Sequence, residues 1–224
     1  MNRTRRPLVA AMLLALGCSP DAQVDVPIGP IKDSVNLPVG SVPAALVGPD
    51  GRLVSLACSM TSPCPTIPVM DLSLQCVSDR CVLGAFALRT QNQLVDLSTF
   101  STFQEYAGAL QAVSLRRALL AFTGLRTGNA VGPLDLSWSA ESDEAGAMSR
   151  HLATFPRTVL TAPTQEVDLA LNVTEIQSLA RQVLAGTRRF RVRLTGPVEA
   201  GAGALPDARV ELSLRLLFHI DTSL

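Results

Sequence analysis

Between Val210 and Ile220 every second residue is apolar: Val210, Leu212, Leu214, Leu216, Phe218 and Ile220. Side chains of a strand alternate between its two faces, so this run reads as a strand with one face buried. Its other face carries Glu211, Ser213, Arg215 and His219 and is turned to water. A strand of this kind is incomplete alone: something apolar must cover the six-residue row. The same period recurs at Phe190, Val192 and Leu194, at Leu134, Leu136 and Trp138, and at Met70, Leu72 and Leu74. It recurs again from Val167 to Val173, with Glu166, Asp168, Ala170 and Asn172 on the wet side.

Other stretches read less regularly. Val82 to Leu88 is apolar on both sides, as expected of a central strand pairing with the Met70–Gln75 run; Leu94 to Leu97 closes that unit. Val113 to Thr123 is apolar on both faces around Arg116-Arg117, as a long strand broken by a bulge would be. Residues 124–132, 141–149 and 196–206 are polar or glycine-rich and read as loops, and Gly48-Pro49-Asp50-Gly51 as a turn. Two short helices interrupt the strands. Phe100, Phe103, Tyr106, Ala107 and Leu110 share one helical face near 99–109, with Ser98 as its cap and the aromatic stripe as a core plug. Ile176, Leu179, Ala180, Val183 and Leu184 do the same near 174–185, with a Thr174/Gln177 capping box and Gly186 as terminator.

Alternating strands, long polar connections and few helices predict a mainly β protein: an antiparallel two-sheet β-sandwich. The layout after Leu94 resembles the immunoglobulin-like sandwich of some uncharacterised bacterial lipoproteins; the likeness implies a fold and no activity.

The first residues set the compartment. Arg3, Arg5 and Arg6 precede an apolar run from Leu8 to Leu16, and Gly17-Cys18 follows. This is the order of a secretory signal, with an apolar run too short to span a bilayer. Ala15-Leu16-Gly17-Cys18 resembles the lipobox of bacterial lipoproteins. The resemblance implies cleavage between Gly17 and Cys18, a diacylglyceryl group on Cys18, and a membrane anchored through that lipid. In that class Asp beside the cysteine retains the protein at the inner membrane. Ser19 stands here, which implies the outer membrane, facing the periplasm or the surface. Residues 1–17 are then the signal peptide, 18–33 a tether rich in Pro and Gly leading into edge strands, and 34–224 one sandwich domain.

Cys58, Cys64, Cys76 and Cys81 remain, in a segment, 58–81, that bears them all. An even set in an exported chain reads as two disulfides, and the intervals of five and four intervening residues are unlike CxxC zinc knuckles. Residues 76–81 look like a hairpin tip, which favours Cys76–Cys81 with Cys58–Cys64. A crossed pairing that clips the loop to the sheet stays open.

Loss of the leader leaves 16 basic against 19 acidic residues, a balance that gives no electrostatic reason to expect nucleic acid. No catalytic set is legible. His151 falls in a loop, His219 on the wet side of the last strand, and there is no GxSxG elbow, HExxH pair or calcium-type loop around Glu141, Asp143 and Glu144. The expectation is no cofactor and no metal. Arg189, Arg191 and Arg193 form the most pointed surface feature, a row about 7 Å apart that could meet an anion. Pairing with Glu166, Asp168 or Glu211 is the preferred reading of that row. Three functions follow: a lipid-anchored, non-catalytic envelope module that binds an envelope protein or polysaccharide or serves structurally; a carrier of a hydrophobic ligand between the sheets; and, last, an envelope hydrolase built on His151 or His219.

Overall fold

The structure, a computed structural model, describes residues 21–54, 56–67, 72–163, 165–200 and 204–223. The leader, Gly17 and Cys18 lie outside the described residues, as do Met70 and Asp71 of one expected strand. Fourteen strands are described: β1 Asp21–Asn36, β2 Leu74–Val77, β3 Arg80–Leu83, β4 Phe86–Arg89, β5 Gln93–Asp96, β6 Leu110–Thr123, β7 Ala130–Val131, β8 Leu134–Ala140, β9 Arg150–Phe155, β10 Thr158–Val159, β11 Glu166–Asp168, β12 Ala170–Leu171, β13 Arg189–Glu199 and β14 Arg209–Ser223. Helix α1 is Ser101–Tyr106 and α2 is Val173–Leu184.

Two antiparallel sheets face each other as a sandwich. One runs β1-β14-β6-β11; the other runs β10-β7-β13-β8-β9-β12, with β4 and β5 on the remaining flank of β13. The apolar row of β14 is buried throughout, and so are Phe190, Val192 and Leu194 of β13 and Leu134, Leu136 and Trp138 of β8. Phe122 of β6 meets Phe155 of β9 edge-on across the interior, 5.8 Å between ring centroids.

Bulges keep this face in phase. In β6 the buried residues are Val113 and Leu115, then Ala118, Leu120 and Phe122, so the pattern slips by one residue. Arg117 pairs with Leu217 and Leu115 with Phe218, which leaves Arg116 as the extra residue. The same slip occurs in β1 between Ile28 and Ile31, where Gly29-Pro30 fills the shift. Gly29 has φ +117°, and a Cβ there would sit 2.8 Å from the Leu214 carbonyl oxygen.

Several expectations are corrected. The edge strands expected in this Pro- and Gly-rich stretch are one long strand, β1, that begins at Asp21, inside the 18–33 segment assigned to a tether; its prolines are accommodated because, among the described residues, β1 is an edge strand that pairs only with β14. Val82–Leu88 is not a central strand. It splits into β3, in a separate hairpin with β2, and β4, at the flank of β13. The run 166–173 also divides: β11 pairs with β6 in one sheet and β12 with β9 in the other, with buried Leu169 between them. The chain thus crosses from sheet to sheet at this corner. His151, expected in a loop, lies on β9.

The helices start differently as well. Ser98 does not cap α1; its amide and hydroxyl both bond Asp96, and Phe103 is the buried plug. The cap of α2 is Asn172, whose side-chain oxygen accepts from the amides of Thr174 and Glu175, and not the Thr174/Gln177 box. Gly186, at φ +98°, ends α2 as expected.

The disulfides are crossed: Cys58–Cys76 and Cys64–Cys81. The pairing favoured by the hairpin tip is therefore wrong. Ser78 and Asp79, both at positive φ, make a two-residue turn that holds Cys76 and Cys81 as cross-strand partners. The 58–64 loop lies against that hairpin through Ala57–Arg80 bridging, so each loop cysteine reaches a different strand. Trypsin and cyanogen bromide together cut after Arg52, Met60, Met70, Arg80 and Arg89 and separate all four cysteines. Under non-reducing conditions the map should link 53–60 to 71–80 and 61–70 to 81–89; links of 53–60 to 61–70 would contradict the crossed pairing.

Candidate functional site

The arginine row stands where the alternation of β13 places it, on the face opposite Phe190, Val192 and Leu194. Its partners differ from those expected. Arg189 donates from Nε to Asp96 Oδ2 at 2.7 Å and from Nη1 to Glu141 Oε1 at 3.2 Å. Arg191 donates to the carbonyls of Glu141 (2.8 Å) and Asn92 (3.0 Å) and lies 3.4 Å from Glu144 Oε1. Arg193 donates to the Ala145 carbonyl. Glu166, Asp168 and Glu211 lie in the other sheet and pair there, with Arg215, Arg117 and Arg209. The row therefore binds this chain's own 141–146 loop and β5, and its charge is met internally.

The loop is itself wound around Asp143, which is 7% exposed. Its carboxylate accepts from the amides of Ala147 and Met148, each at 2.9 Å. Those amides, that of Met148 first, hold the Asp143 carboxyl below the ordinary carboxylate range against the opposing effect of burial; the Gly146 amide and Arg193 add to this. Asp96 is held low in the same direction, first by the Ser98 hydroxyl and, against burial, by Arg189. The acidic cluster is the solvated loop expected at Glu141 and Glu144, both exposed, while Asp143 turns inward and organises it. The sequence signal was an aspartate followed by small residues, which favours side-chain bonds to nearby amides.

The histidines are also engaged. His219 pairs in register with Asp25 on one side and Ser114 on the other. Its Nδ1 is 2.7 Å from Asp25 Oδ1 and its Nε2 3.4 Å from Asp221 Oδ1. Both ring nitrogens thus face carboxylates, and no hydrogen bond joins Ser114 to the ring among the described residues. His151 Nε2 meets Thr154 Oγ1 at 2.9 Å, and Nδ1 lies 3.5 Å from Asp135.

Two spaces bear on ligand binding. Between the sheets, beside Leu120, Leu136, Leu194 and Leu214, is a cavity of about 30 Å³, the size of one water. Asp33 and Thr90 reach its rim: Asp33 accepts from the Gln91 amide, and Thr90 bonds the backbone of Leu194. A groove of about 810 Å³ opens between the disulfide-bearing hairpin and the β7–β10 end of the sandwich. Val54, Val82 and Val159 are exposed along it, and Arg157 and Glu199 close one side with a bidentate pair. Buried Asn129 fixes the neighbouring loop, donating to the Ala200 and Ala204 carbonyls and accepting from Arg126 N.

No family model matches this sequence, and no curated protein does. Among solved structures the chain is similar to one from Desmodium yellow mottle tymovirus, with 10% identity over the whole of this chain and 94% of that one, at a TM-score of 0.31. A likeness at that level carries no argument about fold or function.

The lowered Asp143 carboxyl gives a signed pH dependence. Its contribution to the loop is complete above the unfolded carboxylate pKa, about 3.9, and is lost as pH falls through the lower native value. At neutral pH the Ala147 and Met148 amides should be protected from hydrogen exchange in the wild type and exposed in Asp143→Ala. An NMR titration should show wild-type amide shifts at both residues changing only below the ordinary carboxylate range. Shifts that move near pH 5, or a variant with unchanged protection, would contradict the assignment.

Proposed function

We propose that the chain is an exported lipoprotein, anchored through Cys18 in a bacterial envelope membrane, whose immunoglobulin-like sandwich is a non-catalytic binding or structural module. The observation that carries this reading is the pair of disulfides, Cys58–Cys76 and Cys64–Cys81, in a chain that opens with a secretory pattern ending in Gly17-Cys18. Disulfides persist in oxidising compartments, so they point to an exported environment. None of the described helices is long and apolar enough to cross a membrane, and a lipid on Cys18 would supply the attachment instead.

The module reading draws on how the polar groups are used. The arginine row clamps a loop of the same chain, and both nitrogens of His219 are directed at aspartates. Neither arrangement is set up for acyl transfer, which needs a histidine nitrogen free to take the nucleophile's proton; His151, between the Thr154 hydroxyl at 2.9 Å and Asp135 at 3.5 Å, is what supports the hydrolase as the third reading. The carrier reading is the second choice. The space between the sheets, about 30 Å³, is an order of magnitude below the 300–1,000 Å³ of small-molecule sites. A partner of the envelope, protein or polysaccharide, would instead meet the open groove beside the disulfide hairpin, whose valines offer apolar surface.

Intact mass of the full-length product extracted from bacterial membranes tests the anchor. The expected species begins at Cys18, is heavier than the chain by a diacylglyceryl group and gains about four hydrogens on reduction of two disulfides. Cys18→Ser should abolish both the added mass and the membrane association. A product cleaved elsewhere, carrying no lipid and recovered in the soluble fraction, would overturn the proposal.

A further inference from the structure

The two disulfides are not separate staples. The sulfurs of Cys58, Cys64 and Cys81 all lie within 4.8 Å of one another, and the fourth, that of Cys76, is bonded to Cys58. Three sulfurs thus share one small volume at the edge of the groove, with the fourth bonded at its margin. We propose that these four cysteines are also a metal site: reduced by a dithiol, they bind one Zn²⁺ ion as a tetrathiolate.

Three features of the segment favour this. The first is the frame, which does not depend on the sulfur–sulfur bonds. The β2–β3 hairpin and its turn hold Cys76 and Cys81 opposite each other. The Cys58 amide donates to the Asp79 carbonyl at 3.0 Å and the Cys81 amide to the Leu56 carbonyl at 2.9 Å. Ser59 and Ser62 bond each other's backbone within the 58–64 loop, at 2.9 and 3.2 Å. Breaking the disulfides leaves these backbone bonds to hold Cys58, Cys76 and Cys81 together, with Cys64 following at the end of the loop that Ser59 and Ser62 close. In a CxxC knuckle a tight turn brings two thiolates side by side; here the hairpin does the same for residues four intervening positions apart.

The second is distance. Zinc–thiolate bonds of about 2.3 Å in a tetrahedron put sulfurs about 3.8 Å apart. Each bonded pair would open from about 2.05 Å to that spacing, a movement of about 0.9 Å per sulfur, and the Cys76 sulfur, outside the 4.8 Å group, would draw in toward the other pair by about 1 Å or more. Side-chain rotation can supply this while the Cα atoms, now 5.8 and 5.6 Å apart within each pair, stay close to their places.

The third is access. Cys76 is exposed, whereas Cys58 is buried, and Cys81 lines the groove. A thiolate of the dithiol attacks the Cys76 sulfur and displaces the Cys58 thiolate, which takes up a proton. The second thiol of the reagent then attacks the mixed disulfide, closing it to a cyclic disulfide and releasing Cys76 as a thiol. The second bridge repeats this, so two dithiols are oxidised and four cysteine thiols formed. Zinc then displaces four protons, leaving a site with a net charge of two minus. Reoxidation by thiol–disulfide exchange with two equivalents of a small-molecule disulfide re-forms both bridges: each disulfide takes two electrons and two protons to become two thiols, and the ion is released.

The test uses the full-length protein in both redox states. It is reduced with dithiothreitol, freed of reagent by gel filtration without oxygen, and titrated with Co²⁺ as the spectroscopic probe and then with Zn²⁺. The expected result is one equivalent of Co²⁺ per chain with the visible bands and charge-transfer absorption of tetrahedral cobalt thiolate. Zn²⁺, whose d¹⁰ shell has no geometric preference against a tetrahedral thiolate site, should displace it and should protect all four thiols from alkylation. The oxidised protein should show no such bands, and Cys64→Ser should lose them. Emission from Trp138, 2% exposed in the sandwich core, reports whether the reduced chain stays folded. Octahedral cobalt, less than stoichiometric uptake, bands unchanged in Cys64→Ser, or loss of the Trp138 core signal on reduction would each overturn the proposal.

Discussion

The structure depends on burying one apolar face of β14. Its six alternate side chains from Val210 to Ile220 are covered by the opposite sheet, while its two edges bond β1 and β6 for most of their length. Each side chain of this size contributes roughly 1.5–3 kcal/mol when fully buried, so the row is comparable with the entire net stability of a domain, about 5–15 kcal/mol. The neighbours of β14 must present their own apolar residues at the same period. Where β1 and β6 carry one residue too many, a bulge absorbs it at Gly29-Pro30 and at Arg116. The sheet is thus kept in phase at the cost of local irregularity.

That dependence explains what could be read directly from residues. β14, β8 and the first half of β13 alternate without interruption, and their buried faces are those their sequences spell out. The bulge near Arg116-Arg117 was legible because in an unbroken strand one of two successive arginines would have to face the interior. β9 was not legible: Leu152 and Ala153 are both buried around a register shift opposite Leu136 and Ser137, so the period of two vanishes. β1 was obscured by Pro27 and Pro30, which signal a linker as readily as an edge strand. The run from Glu166 to Leu171 looks continuous in sequence, yet its halves hydrogen-bond to different sheets. Local pattern carries no information about which sheet a strand joins.

The polar groups follow the same division. Spacing showed that Arg189, Arg191 and Arg193 share a face, but their partners depend on tertiary placement, and the loop that meets them is built on Asp143 through amides only one turn away. The cysteine pairing was similarly beyond reach. A hairpin with cysteines at its opposite strands suggests a bond across it, and only the docking of the 58–64 loop shows that each strand bonds outward instead. In functional terms, the charged side chains that most resemble a binding surface tie the molecule to itself. The groove beside the disulfide hairpin, about 810 Å³, is the roomier of the two spaces that bear on ligand binding.

Phase control by the bulge can be measured directly by comparing urea unfolding of two single-residue deletions in β6. Without Arg116, Val113 and Leu115 stay in register with Ala118, Leu120 and Phe122, and Arg117 keeps its outward place; a cooperative transition with a midpoint near the wild type's is the predicted result. Without Leu119, either the residues before it or Leu120 and Phe122 must turn outward, and the cooperative transition should be lost. Equal damage from the two deletions, or a folded chain only when Leu119 is removed, would contradict the account.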